Sequence, residues 1–357
     1  MVDNFSKTIW QGILEIIWRI IDALYRICVR LLYHSKIMGV FALFVSVIFM
    51  TSCGFFISIF YEGFHAQNIQ DGKNTHQGFY VIDVGQGDSL LYITKENQTF
   101  LIDTGRPGNG IVQKLESILG KYRKKIDVVL LTHPDSDHVG EIDNILSSYN
   151  VGLILYSPIY DARPESKKSI DEIKNKNRGL TLPVFAGSNF VFSENERSYF
   201  LSPSFSGMTT FINKKELSED NYFSVIAMIE NKDAIFTMAD APQKIEKVLT
   251  TNSTTSMGLD IFNSTSSLAN ITGRIFDRKD FDKIILKVGH HGSKTSSAPE
   301  FIQKLLPTDA VFSYGFNNRY GHPNKETLNT LSFSLSSSSL PKIKIHRTIS
   351  GTVYFSE

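Results

Sequence analysis

Cysteine is scarce in this sequence of 357 residues, and its scarcity limits how the chain can be held together. The two cysteines, Cys28 and Cys53, both lie in the first sixth of the chain. A disulfide scaffold and a cysteine-based zinc site are therefore excluded from the rest of the sequence. Any metal bound there must be held by histidine, aspartate or glutamate.

An excess of charge of either sign is also missing. The 37 lysines and arginines are balanced by 36 aspartates and glutamates, which leaves a formal net charge of +1. Proteins that grip duplex nucleic acid over a wide face usually carry an excess of basic residues, so this mode of binding is not supported. A short single strand in a small site is still compatible with the charge. Because 42% of the residues are hydrophobic, the chain can bury a core and is not generally disordered.

The N-terminal part contains a long uncharged apolar run from Met38 to Phe60. At ~1.5 Å rise per residue, this run is long enough to cross a hydrocarbon core of ~30 Å. We expect a transmembrane helix over residues 37–60, since a buried core helix would normally show a polar stripe. A lipoprotein signal acylated at Cys53 is a competing interpretation, and the apolar residues after Cys53 argue against it.

Residues 1–36 are predicted to form an amphipathic helix in the membrane interface, because charged residues recur every three or four positions in an apolar segment. Pairing with a partner helix is an alternative, and a second membrane span is disfavoured by the five charged residues from Glu15 to Arg30. Basic residues outnumber acidic ones there, so the positive-inside rule places the N-terminus in the cytoplasm. The sequence thus predicts a single-pass protein of the cell membrane. A polar linker over residues 61–76 would lead to an extracytoplasmic body over residues 77–357.

The body alternates strand patterns with helical patterns, as in the apolar strand over residues 126–131 and the helical segment over residues 299–306. A hairpin is predicted around Glu96-Asn97, and one closing strand over residues 342–355. The charged run over residues 164–179 is expected as a solvated helix or loop, and residues 250–272 as a Ser/Thr/Asn-rich loop. The fold class is therefore α/β or α+β, with helices covering sheets.

Potential metal ligands cluster directly after the strand that ends at Leu131. They are His133, Asp135, Asp137 and His138. A single histidine or aspartate at a strand end is usually a cap or a solvated turn. Together, and with two aspartates that repel each other, these side chains favour bound cations.

Two further motifs also follow apolar strands. The adjacent His290 and His291 are flanked by glycines that let the backbone approach closely. Neighbouring side chains point in different directions, so one histidine is expected to bind metal and the other to support a ligand or face substrate. Asp240 also ends an apolar strand, where a lone acid would usually be a helix cap. No histidine lies between His138 and His290.

Taken in order, these motifs resemble the metallo-β-lactamase-fold domain of the ComEC competence proteins. The similar segments are VIDVGQGDSLL, LIDTG, LTHPDSDHVG, the strand ending at Asp240, LKVGHHGSKTS and FNNRYGHPNKETL. The resemblance implies a four-layer αβ/βα sandwich and a membrane-anchored hydrolase that uses two divalent metal ions. It further implies phosphodiesterase or nuclease activity related to DNA uptake, a phosphodiester substrate such as single-stranded DNA, and a competence-type channel partner.

The resemblance also implies how the ligands divide between the metals. Metal one takes His133 and Asp135, metal two takes Asp137, His138 and either His290 or His291, and Asp240 bridges them. Asp135 stands where the wider superfamily has histidine, which shifts the metal preference from Zn²⁺ towards Mn²⁺ or Mg²⁺. The histidine expected midway along the chain is missing. Metal one must then be completed by the second histidine of the pair, by water, or by an oxygen ligand from Asp220, Asn221 or Asp161.

Catalytic roles are expected for Asp137, Arg319 and His322. Asp137 would orient the attacking water or accept its proton, while Arg319 and His322 would bind phosphate or protonate the leaving group. A turn with a capping histidine is the alternative for the last two. Further anion contacts are expected from Ser293, Lys294 and Thr295. Support for the loops beside the site is expected from Asp83, Gln86, Asp88 and Asp103.

Three other functions stay open on the sequence. Related stand-alone domains act on cell-envelope phosphoesters, such as choline phosphate. A lactamase, lactonase or thioesterase is disfavoured because those enzymes usually keep a histidine-rich zinc set. A metal-free binding module is disfavoured because the ligand residues are intact. The sequence also lacks the many-span channel and the oligonucleotide-binding domain of full competence proteins, so we expect that it does not transport DNA alone.

Overall fold

The computed structural model describes residues 58–60, 76–162, 164–203, 220–250, 280–333 and 342–356. The predicted helix over residues 1–36, nearly all of the linker and most of the predicted transmembrane helix lie outside these residues. The end of that transmembrane prediction is wrong, because Ser58–Phe60 form a strand, β1, that pairs in parallel with residues 189–191. Within the described ranges, no helix has the length and apolar character needed to cross a membrane.

The first of two sheets is built from the early part of the body. Its strands are β2 (Gly78–Val81), β3 (Leu90–Ile93), β4 (Thr99–Ile102), β5 (Lys125–Leu131), β6 (Asn150–Tyr156), β7 (Leu180–Pro183) and β15 (Val353–Ser356). Their order is β15-β2-β3-β4-β5-β6-β7. Pairing is antiparallel from β15 to β4 and parallel from β4 to β7. The predicted hairpin is confirmed, since Ile93 pairs with Thr99 across the turn.

The second sheet is also mixed. It contains β1, β8 (Asn189–Ser193), β9 (Glu196–Phe200), β10 (Ala227–Glu230), β11 (Ala234–Thr237), β12 (Ile284–Lys287), β13 (Asp309–Phe312) and β14 (Lys344–Arg347), in that order. The strands from β11 to β14 run parallel to one another. Their carboxyl ends therefore lie at one edge of the sheet.

Helices pack on one face of each sheet. They are α1 (Ile111–Leu119), α2 (Ser136–Val139), α3 (Ile142–Ser148), α4 (Ile159–Ala162), α5 (Pro164–Lys176), α6 (Gln243–Thr250), α7 (Pro299–Leu305) and α8 (Lys325–Phe333). Leu115, Ile145 and Ile170 join the core on the first sheet, and Ile245 and Ile302 join the core on the second. The charged run over residues 164–179 is thus mainly a helix, α5, with an apolar face turned to the core.

The other faces of the two sheets meet each other. The ring of Phe192 lies 5.9 Å from that of Tyr92 and 5.5 Å from that of Phe100, measured between ring centroids. The Tyr92 hydroxyl also donates a hydrogen bond of 2.6 Å to Glu196 Oε1. The expected α/β sandwich is confirmed as two mixed sheets, face to face, with helices packed against them. Strands covered on both faces are buried at every position, as in β2, β3 and β4.

The prediction of one closing strand over residues 342–355 is wrong. The segment forms two strands in different sheets, because β14 pairs with β13 and β15 pairs with β2. A turn at Thr348–Ser350 and Gly351 separates them, and Gly351 has φ 114°, a conformation that glycine adopts most readily. The predicted loop over residues 250–272 lies outside the described residues, apart from Thr250 at the end of α6.

Candidate metal centre

Strand ends from both sheets place the candidate site. In the first sheet, β5 ends at Leu131, and the segment over residues 132–138 follows it into the short helix α2. In the second sheet, β11 leads to Asp240 and β12 leads to the turn Gly289–Gly292. Because β11 and β12 are adjacent and parallel, their loops emerge side by side.

Asp240 lies at the centre of the arrangement and is only 3% exposed. Its Oδ1 lies 3.2 Å from His138 Nε2 and 3.5 Å from His291 Nε2. Its Oδ2 lies 3.4 Å from His290 Nε2 and 3.9 Å from His133 Nε2. The two oxygens of one carboxylate therefore face two different pairs of histidines.

The aspartates of the first motif extend these pairs. Asp135 Oδ2 lies 3.6 Å from His133 Nε2, and Asp137 Oδ2 lies 3.4 Å from His291 Nε2. The Asp135 side chain is 43% exposed and that of Asp137 is 29% exposed, whereas the two histidines are buried. The aspartates thus border the side of the cluster that opens to solvent. The predicted ligands of the three motifs, from His133 to His138, Asp240 and the histidine pair, are thus brought together here.

In the first motif, the Nδ1 atoms of both histidines are held by neighbours. His138 Nδ1 lies 2.7 Å from Asp103 Oδ2, and His133 Nδ1 lies 3.0 Å from Thr132 Oγ1. The Thr132 hydroxyl donates to Asp103 Oδ2 at 2.6 Å, so its oxygen can accept a hydrogen bond from the N–H at His133 Nδ1. These contacts leave the Nε2 atoms of both rings for the cluster. Asp103 therefore supports the site as the sequence predicts.

The adjacent histidines are held in the same manner. His291 Nδ1 lies 3.0 Å from the Ser313 carbonyl oxygen, and His290 Nδ1 lies 3.1 Å from Thr295 Oγ1. Partners of this kind on Nδ1 fix the orientation of metal-binding imidazoles. Thr295, expected as an anion contact, instead orients His290, and its hydroxyl also lies 2.9 Å from Ser293 Oγ.

The backbone explains how two successive histidines reach one carboxylate. His290 has φ 47° and His291 has φ 53°, both in the left-handed region. Such conformations cost about 1–3 kcal/mol each outside glycine and persist where surrounding contacts enforce them. The sequence predicts one ring of the pair as a metal ligand, but the structure places both beside Asp240.

Several buried polar atoms of the site have no hydrogen-bond partner. They include His133 Nε2, His138 Nε2, His291 Nε2 and Asp240 Oδ1. Leaving a buried polar group unpaired costs about 1–3 kcal/mol, so several such atoms facing one space need an explanation. The ligand atoms of His133, His138 and Asp240 lie within 4.8 Å of one another, as do those of Asp137, His138 and His291. This donor set of imidazole nitrogen and carboxylate oxygen fits divalent metal ions.

Opposite charges shift the titration of the buried groups. Burial raises the pKa of Asp240, but the neighbouring His291 and His138 outweigh burial and hold this pKa well below its usual range. Burial lowers the pKa of His138, but Asp240 and Asp103 hold it well above its usual range. For His291, Asp240 and Asp88 outweigh burial and raise the pKa to about 9. The pKa of His290 is lowered, mainly by burial. The pKa of Asp240 and the pKa values of His138 and His291 therefore depend on one another.

A buried ion pair beside the site escaped the sequence analysis. Lys287, the last residue of β12, is fully buried, and its Nζ lies 2.6 Å from Asp88 Oδ2. Asp88 Oδ1 lies 3.2 Å from His291 Nδ1. Although burial raises the pKa of Asp88, Lys287 and His291 hold it well below its usual range. The available signal was a lysine in the otherwise apolar strand IILKV, just before the histidine pair.

Other residues expected near the site have different roles. Asp83 Oδ1 accepts from the Gly85 backbone N–H at 3.1 Å, and Gln86 Oε1 accepts from Gly315 N–H at 3.4 Å. Both side chains therefore hold loops. Asp161 accepts from the Tyr156 hydroxyl at 2.9 Å and lies 3.6 Å from Lys174, so its carboxylate is engaged away from the cluster. Asp220 and Asn221 lie in the turn Asp220–Phe223, where the Asn221 carbonyl accepts from Ser224 N–H.

The loop after β13 forms one rim of the site. The ring of His322 lies 5.8 Å from that of His290 and 6.3 Å from that of His291, measured between centroids. Burial and these two histidines lower the pKa of His322 to about 4. Arg319 is exposed on the same loop, and Lys294 is exposed on the neighbouring one. This rim therefore places His322 close to the cluster, while the side chains of Arg319 and Lys294 face solvent.

Residues 82–209 match the sequence model described as Metallo-beta-lactamase superfamily. This chain carries a metallo-β-lactamase domain. The chain is similar to ComE operon protein 3 of Bacillus subtilis (strain 168), with 26% identity over 267 residues that cover 70% of this chain and 30% of the relative. It is also similar to competence protein ComA of Neisseria gonorrhoeae, with 25% identity over 249 residues that cover 70% of this chain and 28% of the relative. The chain therefore spans less than a third of the length of these relatives.

Among solved structures, the chain is similar to the metallo-beta-lactamase fold protein YhfI from Bacillus subtilis. The identity is 10%, the alignment covers 78% of this chain and 100% of that protein, and the TM-score is 0.44. What the candidate site can hold follows from its own geometry. Its buried nitrogens and its anionic carboxylate face one partly open space, an arrangement suited to holding cations next to a substrate.

Proposed function

We propose that this chain is a metal-dependent phosphodiesterase that cleaves single-stranded DNA in a process related to DNA uptake. The observation that carries this proposal is the position of Asp240, whose two oxygens face two histidine pairs. Neighbouring metal sites of this kind suit the hydrolysis of phosphodiesters. The similarity to a competence protein supports DNA as the substrate.

We assign two ligand sets on the basis of this geometry. His133, Asp135 and His290 would hold one divalent ion with Asp240 Oδ2, and Asp137, His138 and His291 would hold the other with Asp240 Oδ1. His290 then supplies the ligand of metal one for which the sequence offers no midway histidine. Mn²⁺ and Zn²⁺ suit this mixed set of nitrogen and oxygen donors, and Mg²⁺ suits its carboxylates.

When bound, such ions lower the pKa of water and stabilise charge on a phosphoryl oxygen. The side chains of the protein would accept the proton of the attacking water and bind the substrate. Asp137 lies at the solvent side of the cluster with Oδ2 turned to His291, and we assign its Oδ1 to accept the proton of the attacking water. Arg319 would bind a non-bridging phosphate oxygen, and His322, whose lowered pKa keeps its ring neutral, would donate a hydrogen bond to the leaving oxygen.

We also propose that the chain is anchored in the cell membrane by one helix, with a cytoplasmic N-terminus and an extracytoplasmic domain. The uncharged stretch over residues 38–57 supports this proposal, since at ~1.5 Å per residue it still matches a ~30 Å hydrocarbon core. A competence-type channel is the partner that such a domain would serve.

Activity assays with the purified full chain test this function. Single-stranded DNA, bis-p-nitrophenyl phosphate, a choline phosphate ester and a β-lactam are offered with Mn²⁺, Mg²⁺ or Zn²⁺. We expect metal-dependent cleavage of the DNA and of the diester. Turnover of the β-lactam alone, or of the choline ester alone, would overturn the proposal. A chain that binds no metal would instead be a binding module.

A further inference from the structure

Two large aromatic side chains stand exposed on the loop after β13. Phe316 is 82% exposed and Tyr320 is 68% exposed. We propose that these rings form a stacking platform for the bases of a single-stranded nucleic acid whose phosphodiester lies at the metal centre. This proposal rests on the proposed function. Phe316 and Tyr320 would make the site favour a single-stranded nucleic acid over phosphodiesters that lack bases.

Tyr320 places one end of the platform next to the cluster. The ring of Tyr320 stacks on that of His322, with centroids 5.6 Å apart and an interplanar angle of 24°. The ring of His322 in turn lies 5.8 Å from that of His290. A continuous row of rings therefore leads from a metal ligand to the solvent. A base next to the cleaved phosphate would meet this row first.

The charge around the rings matches a phosphate backbone. The segments over residues 292–297 and 314–325 contain Lys294, Arg319 and Lys325 but no acidic residue. The segments touch, because the Lys294 backbone N–H donates to Asn324 Oδ1 at 2.8 Å. Aromatic rings among basic residues bind single-stranded nucleic acids by stacking and backbone attraction. A quaternary ammonium group would be repelled by the same cations, although aromatic rings alone can bind it.

The loop that carries the rings is held in place from within. Asn318 Nδ2 donates to the His322 carbonyl at 2.8 Å and to the Gly315 carbonyl at 3.2 Å. Asn318 Oδ1 accepts from the His322 backbone N–H at 2.8 Å. Gly315 packs so closely that a Cβ atom there would lie 2.8 Å from the Gln86 backbone nitrogen. A loop fixed in this way presents its rings with little ordering cost on binding.

Fluorescence anisotropy with the full chain in EDTA tests the platform apart from catalysis. The probes are a labelled oligothymidylate and an oligomer of equal length in which abasic sites replace the bases. Stacking is worth enough per base that the wild-type chain should bind the first at least about fivefold more tightly. The double variant Phe316→Leu/Tyr320→Leu should lose this preference, and Tyr320→Phe should keep it. Tyr122→Leu is the matched control, since Tyr122 is 79% exposed but precedes β5, at the opposite strand end.

Each outcome decides between the alternatives. Equal wild-type affinity for the two oligomers, or a double variant that keeps the preference, would overturn the platform. Loss of phosphocholine binding in the double variant, with an unchanged oligomer preference, would assign the rings to a cationic head group and would also overturn it. Failure of the wild-type chain to cleave either oligomer with Mn²⁺, Mg²⁺ or Zn²⁺ would refute the proposed function, while the binding comparison would still decide the platform.

Discussion

At the scale of single residues, the site depends on side chains that hold the histidines. Asp103 contacts both His138 Nδ1 and the Thr132 hydroxyl, and Thr132 in turn contacts His133. One carboxylate therefore orients a ligand from each histidine pair around Asp240. Asp103 therefore orients the imidazole rings, because its oxygens face the Nδ1 side of His138 and not the cluster.

Asp103→Asn should weaken metal binding without unfolding the chain. The amide keeps the size of the side chain but removes the charge that orients His138, and loss of such partners typically lowers metal affinity about 10–100-fold. Titration with Mn²⁺ or Zn²⁺ measures this change, and circular dichroism monitors the fold. Asp83→Asn is the matched control, since Asp83 bonds its own loop. Unchanged affinity in Asp103→Asn would show that the histidines are oriented by other contacts.

Lys287→Met should destabilise the fold strongly. The substitution keeps the apolar stem but leaves Asp88 buried without its cation, and breaking a buried pair in this way costs about 3–5 kcal/mol. Urea denaturation measures the loss in the free energy of unfolding. The double variant Lys287→Met/Asp88→Leu should recover part of it, because no charge is then left unpaired. A single variant as stable as the wild-type chain would contradict the importance of this pair.

Much of the site could be predicted from its residue types. The remaining features depend on backbone conformation and on contacts between distant segments, which a single motif does not reveal. The dense motif from His133 to His138 indicates metal by its composition alone. His290 and His291 can both face Asp240 because their backbones are left-handed. The residue types alone do not predict this backbone conformation. The Asp88–Lys287 pair joins residues far apart in sequence, so it appears only when the two sheets are packed together.

At the scale of elements, α6 connects the two motifs of the second sheet. Glu246 of α6 accepts from the Ser297 backbone N–H at 2.9 Å and from that of Ala298 at 2.5 Å, just before α7 begins. Gln243 of the same helix donates to the carbonyls of Lys294 and Ser296, at 3.1 Å each. The helix that follows Asp240 therefore fixes the loop that follows His291.

Glu246 should make stability depend on pH. Burial raises its pKa from 4.5 to about 7 in the folded chain, although the Ala298 and Ser297 N–H groups oppose the shift. A raised pKa means that the folded chain holds the proton more tightly than the unfolded chain. Its stabilising contribution is therefore complete below pH 4.5 and is lost as the pH rises to about 7.

Glu246→Gln should remove this pH dependence. The stability of the wild-type chain relative to the variant should fall by about 3 kcal/mol between pH 4.5 and 7.5, since each pKa unit corresponds to about 1.4 kcal/mol. Urea denaturation at both pH values measures the difference. Glu165→Gln, at an exposed position of α5, should retain the wild-type pH dependence. Parallel pH profiles for the wild-type chain and Glu246→Gln would contradict the prediction.

Most single elements were predictable, while their pairing was not. The strands that precede the site, β5 and β12, stand out because their apolar runs end at ligand motifs. The prediction of one closing strand is wrong because β14 and β15 have similar patterns, and only long-range pairing assigns them to different sheets. The sequence does not predict the β8–β9 hairpin, since β8 buries only alternate positions and lacks the continuous apolar run of the central strands.

At the scale of the whole molecule, the site is shared between the two sheets. The first sheet supplies His133, Asp135, Asp137 and His138, and the second supplies Asp240 with the histidine pair. Neither half alone contains the ligands of either proposed metal. Metal binding should therefore stabilise the packing of the sheets, because a ligand that binds only the folded state raises its stability.

The proposed anchoring predicts the outcome of proteolysis on intact cells. An extracytoplasmic domain should be cleaved by a protease added outside, and the cleavage products should appear on an immunoblot against the C-terminus. A cytoplasmic protein of the same cells is the control for lysis. Complete protection of the domain in intact cells, with cleavage after lysis, would contradict the outward topology.

The number of divalent ions bound per chain tests the central claim most directly. After saturation with Mn²⁺ or Zn²⁺ and removal of free metal, elemental analysis should find two ions per wild-type chain. His290→Ala should retain one ion, because only the set on Asp240 Oδ2 is lost, whereas Asp240→Asn should retain none. One ion in the wild-type chain, or two in His290→Ala, would contradict a pair of metals divided between the two oxygens of Asp240.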